Sequence, residues 1–253
     1  MSCVHLCISA QPKHCFHFTD NDNPTEQQTK QEKNNNPRFL TDEEIIAQCV
    51  LFFVAGFETT GATLTNTIFL LARNPEVQER LYDEVCENLA DVDPNNLDKY
   101  YETINTKISY LDAVIKETLR LYPPVTRLER RLNIDEYKLG GIQLQRDHLV
   151  EISTIAVHYD PDNFSNPKQY SPERFLPENK HKLAPYSYIP FGDGPRNCVG
   201  MRFAYQEAKI CLASLIQKFR FKANAKTPER LSFPAKKILL TPDAFEVSIE
   251  SRA

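Results

Sequence analysis

Phe191-Gly192-Asp193-Gly194-Pro195-Arg196-Asn197-Cys198-Val199-Gly200 is the stretch on which the reading of this chain turns. Its glycines and proline force a tight backbone excursion. The residues after Val199 carry no proline and few polar breaks up to about Phe219, so a long helix starts where the turn ends. Cys198 therefore falls at a helix start, where backbone N–H groups and the positive end of the helix dipole favour a thiolate. Arg196 adds positive charge two residues earlier, and Phe191 can shield one side from water. A lone cysteine after a turn is more often an inert core residue. Here the glycines, the arginine and the phenylalanine around it argue for a sulfur held ionised, dry and ready to ligate a metal.

The rest of the chain sets bounds on that reading. With 253 residues it can hold one large core or two small domains. Apolar residues at 41% and charged residues at 25% describe an ordinary globular protein rather than a disordered or fibrous one. A net charge of -4 without a basic stripe gives no sign of nucleic-acid binding. The 7 cysteines lack paired spacing, which points to a reducing compartment.

Residues 1–36 form an atypical N-terminal segment. Residues 20–36 are rich in Asn and Gln and read as disordered. The earlier part holds Cys3, His5, Cys7, His14, Cys15 and His17, in spacings that match no standard zinc finger. Residues 1–20 also lack the basic-then-apolar order of a signal peptide. A folded unit over 37–253 then begins with a capping box, Thr41 followed by Glu44.

The helix after it meets no proline before Pro75, a run of some thirty residues. At 1.5 Å per residue such a helix is roughly 45 Å long, the width of a domain. Ile45–Ala72 is apolar enough to be weighed as a membrane span. Gln48, Glu58 and five threonines interrupt it, so a buried central helix is the expectation. Asn74 and Pro75 open a second helix to about Leu89. Ser109 is read as the cap of a third, ended by Pro123 and Pro124. Residues 133–155 read as short strands around Gly140-Gly141, and 160–190 as a long ordered loop, a type that is usually functional. The last long helix runs from about Val199 to Phe219, and short strands close the chain.

The opening stretch matches Phe-x-x-Gly-x-Arg-x-Cys-x-Gly at Phe191, Gly194, Arg196, Cys198 and Gly200, and so resembles the signature of the cytochrome P-450 family. Other segments resemble the family in the same order. Ala55-Gly56-Phe57-Glu58-Thr59-Thr60 is similar to its oxygen-activation motif. Taken alone it would read as a core helix loosened by threonine back-bonding. Glu117-Thr118-Leu119-Arg120 puts an acid and an arginine on one helix face. The resemblance makes them a buried pair completed by Arg174. Arg127-Leu128-Glu129-Arg130 and Ala156-Val157-His158-Tyr159-Asp160-Pro161 also resemble family segments. His158 reads as a hydrogen-bonded loop residue rather than a metal ligand.

The resemblance runs from about Thr41 to Arg252 and is nearest the animal microsomal branch that oxidises drugs and steroids. It implies a mainly α fold with small β-sheets, the C-terminal portion of the cytochrome P-450 fold. The implied cofactor is haem b, with Cys198 as axial ligand to the iron. Arg130 and Arg196 would meet the propionates, with Phe191, Ala55 and Gly56 against the haem. Glu58 and Thr59 would relay protons, while Glu117, Arg120 and Arg174 would be structural. Val125, Thr126 and Leu240 are expected to touch a lipophilic substrate such as a steroid, fatty acid or xenobiotic.

Electrons would come from NADPH through NADPH–cytochrome P-450 reductase, a flavoprotein, with cytochrome b5 as a further partner. The location implied is the cytosolic face of the endoplasmic reticulum membrane. The family's anchor, its substrate cap and its tryptophan-bearing propionate helix have no counterpart here, in keeping with 0 tryptophans. A haem-binding module without turnover, and an inactive fragment or pseudoenzyme, therefore stay open beside the enzyme.

Overall fold

The computed structural model describes residues 6–9, 39–93, 95–235 and 239–252. The elements in chain order are β1 (Leu6–Ser9), α1 (Asp42–Arg73), α2 (Pro75–Leu89), α3 (Leu97–Thr106), α4 (Ser109–Leu121), β2 (Arg127–Arg131), β3 (Glu136–Leu139), β4 (Ile142–Gln145), β5 (Leu149–Ser153), α5 (Thr154–His158), α6 (Met201–Lys218), β6 (Phe219–Lys222) and β7 (Ser248–Ser251). The fold is mainly helical, with small antiparallel sheets in the orders β1-β5-β2, β3-β4 and β6-β7. Short 3₁₀ turns at Pro172–Phe175, Pro177–Lys182 and Gly194–Arg196 punctuate the loop expected over 160–190 and its continuation to Cys198.

Apart from Leu6–Ser9, the N-terminal segment expected to be disordered lies outside the described residues, as do Cys3, His5, His14, Cys15 and His17.

The capping box that opens α1 is complete. The Thr41 N–H donates to Glu44 Oε2 at 2.9 Å, and the Glu44 N–H donates to Thr41 Oγ1 at 3.2 Å. The helix has the expected length but not the expected burial. Phe53 is 71% exposed and Phe57 74%, and the first buried residue of the helix is Thr60. The reason is reach: α2, α4, α6 and β6, which pack on α1, meet its second half. By length and composition α1 could also cross a membrane.

The core gathers Leu71, Leu81, Val85, Ile104, Leu111, Ile115, Leu212 and Ile216 from α1, α2, α3, α4 and α6. Periodic apolar positions on each helix supply one face to it. Full burial of each such aliphatic side chain contributes about 1.5–3 kcal/mol.

Three local expectations need correction. Ser109 is the first residue of α4 rather than its cap, which is Ile108. The capping acceptor is the Glu84 carboxylate of α2, which takes the Ser109 hydroxyl at 3.2 Å and the Tyr110 N–H at 2.9 Å. A carboxylate from a neighbouring helix satisfies orphan N–H groups and the dipole as well as a local serine does. Second, α3 was not anticipated. It is capped by Asn96 and buries only Thr103 and Ile104, so its apolar periodicity is faint. Third, the final helix starts at Met201 rather than near Val199.

Candidate active site

The Cys198 loop is held by its own backbone. Its ends are tied by the Gly192 N–H to Ile189 O at 3.1 Å and the Cys198 N–H to Phe191 O at 2.9 Å. Gly192 and Gly194 have φ of 73° and 76°, a region that penalises any side chain. Gly200 has an ordinary φ of -84°, and a Cβ there would sit 3.8 Å from Cys198 Sγ, a normal contact. The turn itself therefore requires Gly192 and Gly194, and Gly200 is not forced by conformation. Cys198 lies just ahead of α6, its carbonyl accepting the Met201 N–H at 3.4 Å. The thiol side is open rather than dry, since Cys198 is exposed and Phe191 half-buried against Tyr205, ring centroids 5.1 Å apart.

Cys198 lines a mainly apolar cleft that is open on one side to solvent. Ala55, Thr59 and Thr63 of α1 form the opposite wall, with Arg196 and Phe191 on the loop side and Val125 and Leu128 at one end. Thr59 donates to Ala55 O at 2.7 Å and Thr63 to Thr59 O at 2.9 Å. Back-bonding of this kind satisfies the hydroxyl protons within the helix and leaves oxygen lone pairs free.

The donor set suits haem on chemical grounds. A sulfur ligand stands on one wall, small residues that permit close approach stand on the other, apolar side chains lie between, and an arginine is available for a carboxylate. Among the described residues, no three His, Cys, Asp or Glu side chains form a separate metal-binding cluster.

Not every expected residue lines this cleft. Cys198, Arg196, Phe191, Ala55, Thr59 and Val125 do. Gly56 does not, and a Cβ there would meet nothing within 4 Å. Glu58 turns to a second cleft on another face of α1, where it accepts from Thr241 Oγ1 at 3.2 Å. The cause is helical spacing: adjacent positions differ by about 100°, so Glu58 and Thr59 cannot share a face. Arg130 is exposed on β2 and donates to Glu129 O at 2.7 Å. Thr126 O accepts the Thr154 N–H at 2.9 Å, and the Leu240 N–H donates to Pro124 O at 2.8 Å. Thr63, Leu128 and Tyr205 line the cleft without having been singled out. For Thr63 the signal was available, because it lies one turn beyond Thr59 on the same helix face.

The buried support of the site centres on α4. Glu117 and Arg120 are each 0% exposed and paired twice, Nε to Oε2 at 2.7 Å and Nη2 to Oε1 at 2.8 Å. Arg120 also donates to the carbonyls of His158 (3.0 Å), Pro167 (2.8 Å) and Gln169 (3.2 Å), so all five of its N–H groups are used. Glu117 further accepts the Ser171 N–H at 3.0 Å and has Arg174 Nε at 3.4 Å. Burial pushes the Glu117 carboxyl above its ordinary value, while Arg120, the Ser171 amide and Arg174 pull it back.

His158 completes the support. Its Nδ1 lies 3.0 Å from Arg120 O, and its Nε2 accepts the Ile189 N–H at 2.9 Å. These partners fix the tautomer with the proton on Nδ1. Burial depresses its pKa from 6.5 to about 4. The ring thus fastens the end of α4 to the residue that precedes Pro190 and Phe191.

Comparison with known proteins agrees with this geometry. The family described as Cytochrome P450 matches residues 19–249. Cytochrome P450 3A11 of Mus musculus is 44% identical over 195 residues, covering 76% of this chain and 38% of that protein. Cytochrome P450 3A2 of Rattus norvegicus is 42% identical over 200 residues, 79% of this chain and 38% of the relative. Cytochrome P450 9e2 of the cockroach Blattella germanica is 41% identical over 215 residues, 83% and 39% respectively. The chain therefore spans about two fifths of the length of the curated relatives it matches. With a match over most of its length and a cysteine loop that closes one wall of an apolar cleft, the chain belongs to the cytochrome P-450 family.

Proposed function

We propose that the chain carries the haem-binding and oxygen-activating part of a monooxygenase that inserts one oxygen atom from O₂ into a lipophilic small molecule such as a steroid, fatty acid or xenobiotic. The observation that carries the reading is the cleft with Cys198 on one wall and Ala55 and Thr59 on the other. A bound haem b would supply the redox chemistry of dioxygen there, with electrons delivered from NADPH through a flavoprotein reductase and cytochrome b5.

The residues have separable tasks. The Cys198 sulfur would hold the haem iron, and the turn fixed by Gly192 and Gly194 places it at the cleft. Arg196 is placed to neutralise a propionate. Arg130 would have to give up its Glu129 carbonyl to do the same. Phe191, with Tyr205 behind it, supplies an apolar surface on the sulfur side, against which a haem would close off water from the now exposed thiol. Thr59 presents hydroxyl lone pairs to the cleft and can hold a water for proton delivery, and Glu58, on the second cleft, is the acid that would resupply it through water passing round the helix. Val125 is the substrate contact at the cleft itself. Leu240 stands one hydrogen bond from the cleft-lining Pro124, and Thr126 follows Val125 in the chain, so both would contact only a substrate that extends beyond the cleft. Glu117, Arg120 and Arg174 hold the frame. The endoplasmic reticulum membrane is the location that the resemblance to the family's microsomal branch implies, and α1 is long and apolar enough to cross a membrane.

The test is the carbon monoxide difference spectrum of the reduced, haem-loaded chain. A thiolate-type Soret band in the natural chain, absent from Cys198→Ala, is the expected result. Haem uptake with the same spectrum in both would overturn the assignment of the ligand.

A further inference from the structure

We propose that Thr241 is a positioning residue for Glu58, and that the Leu240–Thr241 turn is a strut linking the cleft wall at Pro124–Val125 to that acid on the other side of α1. The proposal rests on the proton-relay reading of Glu58 given above. Three contacts carry it. The Leu240 N–H donates to Pro124 O at 2.8 Å, directly before the cleft-lining Val125. The Thr241 N–H donates to Leu239 O at 2.8 Å, which folds the turn tightly. Thr241 Oγ1 then donates to Glu58 Oε1 at 3.2 Å.

The second cleft, bounded by Glu58 and Gly61 on α1 and by Thr241 and Phe245 on the C-terminal loop, encloses about 1010 Å³ of open space. It gives Glu58 contact with water without opening the Cys198 cleft. The loop has its own anchor there, since Phe245 packs edge-on against Phe69 with ring centroids 5.3 Å apart. The Asp243 N–H also donates to Ser232 O at 2.9 Å. A turn fixed at both flanks transmits displacement rather than absorbing it. A molecule that presses on Val125 would move Pro124, then Leu240, and so shift the hydroxyl that orients the acid. Substrate occupancy and proton supply would thereby be coupled across α1.

The test compares Thr241→Val, which keeps shape but removes the donor, with Thr241→Ser, which keeps the donor, and with Glu58→Gln. Hydrogen exchange of the 239–245 segment reads the strut without any turnover. Thr241→Val should speed it about fivefold, the effect of losing one modest hydrogen bond, and Thr241→Ser should leave it near the natural rate. Unchanged exchange in Thr241→Val overturns the strut.

The second readout is the ratio of peroxide released to product formed in the haem-loaded, reductase-supported chain. Thr241→Val and Glu58→Gln should both raise it, and the double variant should be no worse than Glu58→Gln alone. If Glu58→Gln raises the ratio and Thr241→Val does not, positioning by Thr241 is refuted while the relay stands. If Glu58→Gln itself changes nothing, the relay reading falls and the proposal with it.

Discussion

Lowering the pH should weaken this fold through one imidazole. His158 is buried, and burial holds its pKa at about 4 against 6.5 for a free ring. The unfolded chain therefore takes up a proton between those values when the folded chain does not. The folded pKa is the depressed one, so the stability that His158 contributes is fully present above pH 6.5 and is lost as pH falls toward 4. At roughly 1.4 kcal/mol per pH unit, the gap amounts to roughly 3 kcal/mol, an order-of-magnitude figure.

A protonated ring would also turn Nε2 from acceptor to donor, opposite the Ile189 N–H that now donates to it at 2.9 Å. His158→Leu removes the titration and leaves Arg120 O and the Ile189 N–H without their partner. Each unsatisfied group costs about 1–3 kcal/mol, so the variant should be less stable at pH 7.5 by about 2–6 kcal/mol. The natural chain loses roughly 3 kcal/mol of that lead as its ring becomes protonated. Urea unfolding of both proteins from pH 7.5 to 4.5 reads the difference, and subtraction cancels groups common to both. The gap should close by most of that amount across the range. A gap that stays constant with pH would refute the argument, because it would mean the ring is not held neutral.

Other expectations concern stability and surface. Arg120→Met should cost about 3–5 kcal/mol in denaturant unfolding, because Glu117 would be left buried without its main partner, and adding Glu117→Leu should restore part of the loss. Gly194→Ala meets nothing within 4 Å but sits at φ 76°, so it should lose about 1–2 kcal/mol to strain alone. Gly200→Ala, at an ordinary φ, should be near neutral in the same assay. Phe53→Glu should change thermal stability by no more than about 0.5 kcal/mol, since the side chain is 71% exposed, and should reduce the binding of an apolar dye.

Helix existence was legible where apolar periodicity and end signals agree, as in α1, with Thr41 and Glu44, and α2, with Pro75 at its first turn. The Asn74 side chain, expected to cap α2, instead donates back to Leu70 O of α1 at 2.7 Å. Legibility failed where a distant residue does a local one's job. Glu84 caps α4 from α2, and no pattern near Ser109 announces it. It failed again for α3, which buries too little apolar surface to show a period. For the site, the turn around Cys198 could be read because positive φ demands glycine at Gly192 and Gly194. The direction of Glu58 could have been read from helix geometry, since it is one step from Thr59. Burial of the first half of α1 could not, because apolar composition states what a side chain tolerates and not whether a neighbour is present.

That half-covered helix has a mechanical consequence. Ala55 and Thr59, which form the wall opposite Cys198, sit ahead of Thr60, the first buried residue of the helix. The wall is a cantilever, clamped behind Thr60 by the core and, among the described residues, braced over the roughly five turns ahead of it chiefly by the Thr241 hydroxyl on Glu58. Small tilts at the clamp become larger displacements toward the free end, so the gap between sulfur and helix is an adjustable one. Whatever grips Phe52, Phe53 and Phe57 would set the spacing of the jaws, and with it how tightly a flat ligand is held.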